Sequence, residues 1–188
     1  MPDGRYRGLR QSVMDKIKDW VREGGTLIAF KGALNKLNSS IIEFENIPSP
    51  GRNYNTYADR QEKSAEHVIG GAIFQSTIDT SYPLFYGYSD KTYYSFKRGT
   101  LAIKKSNNVL ANPMIYKNQP LFSGYSSKEN LDRISETSGL VVYGVGRGRV
   151  VGSLDNPLFR GYWRGGNKLF DNMLFISSAI SSVGLRED

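Results

Sequence analysis

From Gly8 to Phe30 the chain reads GLRQSVMDKIKDWVREGGTLIAF, and this stretch restricts the fold more than any other. Leu9, Val13, Ile17 and Val21 recur at every fourth position with Trp20 beside the same stripe, which predicts an amphipathic helix over Gly8 to Glu23. Gly24-Gly25 should end it, because the first glycine can enter the left-handed conformation that other residues reach only against a steric cost. Thr26 to Phe30 then reads as a short apolar strand, expected to be buried on both faces. A helix that leads into such a strand packs its stripe on the sheet and returns the chain in the same direction. The unit therefore predicts an α/β protein with a mostly parallel sheet flanked by helices.

Further along, Ala33, Leu34 and Leu37 open a short helix, and residues 38–66, with Pro48, Pro50, Gly51, Asn53 and Asn55, read as a long irregular loop. Ile69 to Phe74 is a strand candidate, Asp79 to Tyr88 a turn with an aromatic segment. Tyr93 to Phe96, Leu101 to Ile103 and Val109 to Ala111 are short strand candidates. Ser126 and Glu129 have the spacing of a capping box, placing a helix after them to about Glu136. Gly139 to Val145 and Arg149 to Ser153 form a hairpin around Gly146-Arg147-Gly148, and Gly166 to Ser178 a closing helix.

The 188 residues suffice for one domain, 1–188, with a substantial core, and no apolar run approaches the roughly 20 residues that cross a bilayer, so no membrane association is expected. The absence of cysteine excludes disulfides, thiolate metal sites and cysteine nucleophiles. A net charge of +7 would suit an acidic partner, yet Lys16, Lys18 and Arg22 alternate with Asp15, Asp19 and Glu23 on one helix. Lys97, Arg98, Lys104 and Lys105 form the densest positive group, and Arg147, Arg149, Arg160 and Arg164 a second. With no RNA or DNA motif beside them, they read as ordinary charged surface, and no nucleic-acid partner is expected.

Chemistry is scarce. The single histidine, His67, cannot build a zinc centre, which needs several neutral imidazoles and a carboxylate around an open position, so neither metal nor cofactor is expected. Gly144-Val145-Gly146-Arg147-Gly148 is not a dinucleotide fingerprint, since it leads into Arg149-Val150-Val151 rather than into a helix.

The segments DWVREGGTLIAF, PLFYGY and DNPLFRGYWRGGNKLF, in that order, resemble a class I glutamine amidotransferase-like domain from the C-terminal region of bacterial zinc carboxypeptidase-like proteins. The resemblance spans about Ile17 to Phe175 and is loosest in the middle. It implies a flavodoxin-like fold with a C-terminal hairpin and helix, serving as an accessory domain beside the catalytic domain of a metallopeptidase parent that would be exported. In similar domains a strand and helix precede the first helix seen here. Their absence leads one to expect an exposed sheet edge or apolar face, suited to an upstream region or to a homodimer. True amidotransferases carry a cysteine at the elbow after the first of these strands. Here that turn is Lys31-Gly32-Ala33, and Tyr82 stands where similar domains often have a histidine before Pro83-Leu84, so no catalytic residue is expected.

Two readings fit the segment after the hairpin. Asp155, Asn156, Arg160, Tyr162 and Trp163 lie between a strand and a helix, where doubly wound sheets hold ligands, and with Tyr82, Tyr86, Tyr88, Tyr93 and Tyr94 could recognise a glycan or peptide. The plainer reading makes Asp155-Asn156-Pro157 an Asx-type turn and pairs Arg160 within the fold.

Overall fold

The computed structural model describes residues 10–49, 56, 68–181 and 185. The first helix, α1 (Gln11–Arg22), buries Met14 and Val21 and ends as the sequence predicts. Gly24 takes a φ of 126°, its N–H donates to Val21 O at 2.9 Å and Gly25 N–H to Trp20 O at 3.1 Å, the paired bonds of a Schellman motif. β1 (Thr26–Phe30) follows, then a single-residue junction at Lys31 and the short α2 (Gly32–Leu37).

The remaining strands are β2 (Ala72–Ile78), β3 (Thr92–Lys97), β4 (Met114–Gly124), β5 (Ser138–Val145) and β6 (Gly148–Ser153). They form one six-stranded sheet in the order β1-β6-β5-β4-β2-β3. Only β1 with β6 is parallel; every other neighbouring pair is antiparallel. The expected mostly parallel, flavodoxin-like sheet flanked by helices is therefore incorrect: this is a mixed sheet that curls into a half-barrel with few helices. Parallel neighbours need a crossover each, whereas β5 and β6 form a tight hairpin and β2 returns antiparallel to β3 through residues 79–91, which carry a 3-10 turn at Pro83–Phe85. Two register shifts between β2 and β4 mark the irregular pairing that accompanies the curl.

β1 is also not buried on both faces. It ends the sheet, and of its residues only Ala29 is buried. The fully enclosed strands are β5 and β6, whose residues divide between two cores. Val141, Tyr143 and Val150 pack with Val21, Leu34, Phe74, Tyr116 and Ile134 on one face. Leu140, Val142 and Val151 pack with Leu84, Phe85, Met114, Leu169 and Met173 on the other. The helices α3 (Lys128–Ile134) and α4 (Asn167–Phe175) supply Ile134 to the first core and Leu169 and Met173 to the second.

The β5–β6 hairpin turns at Gly146, where φ is 60°, and its glycines also permit close packing. A Cβ on Gly148 would stand 2.0 Å from Val21 O and 2.3 Å from Gly25 O, so the end of α1 rests directly on the turn. The Arg147 and Arg149 amides complete this seat by donating to Arg22 O at 2.9 Å and Gly25 O at 3.1 Å.

Several local expectations shift. Val109–Ala111 is a 3-10 turn rather than a strand, and Ile103 makes only isolated bridges, to Asn46 and Ser138. The helix after the expected capping box starts one residue later, with Ser127 Oγ accepting from Asn130 N–H at 3.3 Å. Of the loop expected over 38–66, residues 38–49 hold a bridge between Asn38 and Ile42, while most of the remainder, like His67, lies outside the described residues.

Candidate functional site

β3 alternates, and its inward side carries Tyr93, Ser95 and Lys97. Lys97 is 1% exposed and Asp155, just past β6, is 2% exposed, so both charges have left water. Asp155 Oδ2 accepts from Ser95 Oγ at 2.6 Å and from Tyr116 OH at 2.7 Å. Lys97 Nζ donates to that same Tyr116 oxygen at 3.0 Å and to Leu101 O at 3.3 Å, and stands 3.5 Å from Asp155 Oδ1. The Tyr116 hydroxyl is thus donor to the carboxylate and acceptor from the ammonium. Lys97 also lies 4.7 Å from the Tyr116 ring centre, close enough for a cation–π contribution.

Burial lowers the Lys97 pKa from its ordinary value, and the Asp155 charge opposes that shift. The Tyr116 pKa is raised well above the ordinary phenol value, first by burial and then by the same carboxylate. Asp155 Oδ1 has no hydrogen-bond partner and only the ion contact with Lys97. This cluster holds a base, an acid and two hydroxyls, but solvent and substrate cannot reach it. It ties β3, β4 and the end of β6 together.

The expected binding loop consequently divides. Asp155 is consumed by the interior. Asn156 forms the Asx turn, its Oδ1 accepting from Leu158 N–H at 3.0 Å. Arg160 is exposed with a φ of 53°, its guanidinium 5.4 Å from the Phe159 ring centre, and among the described residues it meets no carboxylate. Tyr162 is 58% exposed and packs edge-on against Phe96 and Phe159.

Trp163 goes elsewhere. With Tyr88, Tyr93, Tyr94 and Phe122 it lines a groove of about 520 Å³ along β3, which ends the sheet opposite β1. Tyr94 and Phe122 meet edge to face at 4.8 Å, Phe122 is 60% exposed, and the Trp163 Nε1 is buried without a hydrogen-bond partner. Of the tyrosine cluster, Tyr82 is buried and Tyr86 is exposed outside this groove.

A second concavity lies where the end of β1 meets the residues that precede β2 and follow β3. Lys31 occupies the junction between β1 and α2 with φ 53° and ψ −121°, a backbone conformation that favours glycine and costs a residue with a side chain about 1–3 kcal/mol. Its amide donates to Ser153 O at 2.9 Å, fastening the strained residue to the end of β6. The side chain displayed at this sharp strand-to-helix turn is an ammonium. Among the described residues, no group of His, Cys, Asp and Glu is placed to hold a metal ion.

No family model matches the chain, and no curated protein does. Among solved structures, the chain is similar to a cytoplasmic protein of Salmonella typhimurium, STM3548, at 14% identity and a TM-score of 0.45, over 89% of this chain and 61% of that one. At that distance the likeness transfers neither fold nor function.

Sequence reasoning missed Lys97 and Tyr116. Beside Arg98, Lys97 reads as surface charge, although its place in the alternation Tyr93, Ser95, Lys97 puts it on the inward side of a strand. Tyr116 lies in β4, a strand that Pro113 and Pro120 conceal.

Proposed function

We propose that this chain is a noncatalytic interaction domain, acting by packing against a larger parent of the zinc carboxypeptidase-like kind whose catalytic domain supplies the chemistry. The observation that carries this reading is the elbow. The conformation that presents a nucleophile elsewhere presents Lys31 here, and the buried acid, base and hydroxyls of Asp155, Lys97, Ser95 and Tyr116 are spent on each other. The aromatic edge formed by Tyr94, Phe122 and Trp163 is the face assigned to the partner, because large apolar rings at a sheet edge gain most from being covered.

The test uses the full chain and a longer polypeptide that includes the upstream coding region. The chain alone, with added zinc, is expected to leave peptide substrates with free C-termini intact; chelator-sensitive turnover would refute the proposal. Comparing hydrogen exchange of the two proteins should show protection at Tyr94 and Phe122 only in the longer one. Equal exchange there would remove the packing role.

A second reading, recognition of a glycan or peptide, is favoured by one feature, the unpartnered Trp163 Nε1 at the wall of an aromatic groove. Sugars stack their apolar faces on such rings and accept from such a donor. A glycan and peptide array probed with the wild type and Trp163→Ala separates the two, since only this reading expects binding that the substitution abolishes.

A further inference from the structure

Among the six strands, β1 and β6 form the one parallel pair, and their carboxyl ends, Phe30 and Ser153, lie side by side. The carboxyl ends of a parallel pair leave the sheet on the same side, the arrangement that in open α/β sheets makes room for a ligand between the departing loops. Here the space is a cavity of about 520 Å³ lined by Lys31, Asn35, Gly70, Arg98, Gly99 and Leu154.

Its charge is one-sided. Among the described residues, neither Lys31 nor Arg98 forms an ion pair. The carboxylate next to the cavity's Leu154 is Asp155, and it is already occupied by Ser95, Tyr116 and Lys97. Lys31 and Arg133 both oppose the Lys97 charge, less strongly than Asp155 supports it, so each lies close enough to add positive potential here. Arg133 itself is directed to the carbonyls of Ile47 and Thr100, leaving Lys31 and Arg98, among the described residues, as the cations facing the opening.

The backbone is also approachable. A Cβ placed on Gly32, Gly70 or Gly99 would meet no atom within 4 Å, so a ligand can approach the main chain at three points of the rim. Lys31 keeps a side chain where glycine would be unstrained, and the Ser153 carbonyl holds its backbone in place.

We propose that this cavity binds an oxyanion, the carboxylate or phosphate of a small molecule, clamped between the Lys31 ammonium and the Arg98 guanidinium with the Asn35 amide as a further donor. Arginine supplies paired N–H groups that match two oxygens of such a group, and lysine supplies a point charge. This proposal goes beyond the packing role and does not depend on it.

The test is a titration of the uniformly ¹⁵N-labelled full chain at constant ionic strength, with inorganic phosphate in one arm and glutarate in the other. Saturable amide shifts are expected at Gly32, Gly70 and Gly99, with Lys31→Gln and Arg98→Gln each weakening affinity about tenfold or more. A response confined to phosphate identifies a phosphorylated ligand, one confined to glutarate a carboxylate, and both together a site for oxyanions in general. Absence of saturable shifts at these glycines in both arms overturns the proposal. So does an affinity that survives both substitutions unchanged.

Discussion

Lys97 and Lys31 face opposite fates in one sheet. Lys97 is enclosed, with an acceptor for its charge in Asp155 and hydrogen bonds to Tyr116 and Leu101. Lys31 stands at the rim of a cavity on a strained backbone and, among the described residues, has no carboxylate partner. The first lysine is tied into the fold from every side, so its removal should be felt as stability. The second adds strain to the fold, and what it offers is directed outward.

Breaking the interior pair should give the largest effect. Asp155→Ala leaves an ammonium buried without its counter-charge and is expected to destabilise the protein by about 3–5 kcal/mol in urea unfolding. A double substitution, Lys97→Met with Asp155→Leu, removes both charges and should recover most of that loss. If the double variant is as unstable as the single one, the pair was not what held these strands together.

Alkali should come next. Tyr82, Tyr88, Tyr93 and Tyr116 all have raised pKa values, chiefly from burial, so the folded state keeps phenol protons that the unfolded chain loses from about pH 10 upward. Their contribution is present below pH 10 and is lost as pH rises through the folded values. Lys97 acts in the other direction, because the unfolded chain holds its proton up to about 10.5 while the folded protein releases it sooner. Above that value the tyrosines act alone, and the unfolding free energy should fall with pH. A flat profile there, followed by chemical denaturation at each pH, would show that these phenols are open to solvent.

Tyr116→Phe should cost about 1–3 kcal/mol, since it strips Asp155 Oδ2 of one donor and Lys97 of one acceptor at once. The corresponding change at the rim should have the opposite sign. Lys31→Gly relieves the backbone and is expected to stabilise the chain by about 1–2 kcal/mol in thermal unfolding while abolishing any anion response. Arg98→Gln, at an exposed position, should alter stability by no more than about 0.5 kcal/mol. A large loss from either rim substitution would erase the distinction between the two lysines.

How much of this was legible in the sequence depends on how local each signal is. The α1–Gly24–β1 unit and the β5–β6 hairpin were readable because periodicity and turn glycines sit within a few residues of one another. Direction within the sheet was not, because one strand after one helix says nothing about which later strand it joins; β1 joins β6, from the far part of the chain. β4 escaped notice since Lys117, Asn118 and Gln119 interrupt its apolar side, and its partner β2 pairs with register shifts. At the site, the sequence offers Asp155 either to a ligand or to an Asx-type turn and not to the interior, because its true partners Ser95, Lys97 and Tyr116 lie in β3 and β4 and carry no motif. Lys31 was noted only as a missing nucleophile, and its strain is a property of coordinates that no residue name conveys.

The pairing of β1 with β6 also has a temporal side. During synthesis β1 leaves the ribosome long before the strand that hydrogen-bonds it, Gly148–Ser153. Until then Leu27 and Ile28 have no neighbour to zip against, and α1 has no turn to rest on. Closure of so long a loop should make docking of the α1–β1 unit the slow, late event of assembly of this sheet, and the nascent chain most open to chaperones or to mispairing during that wait.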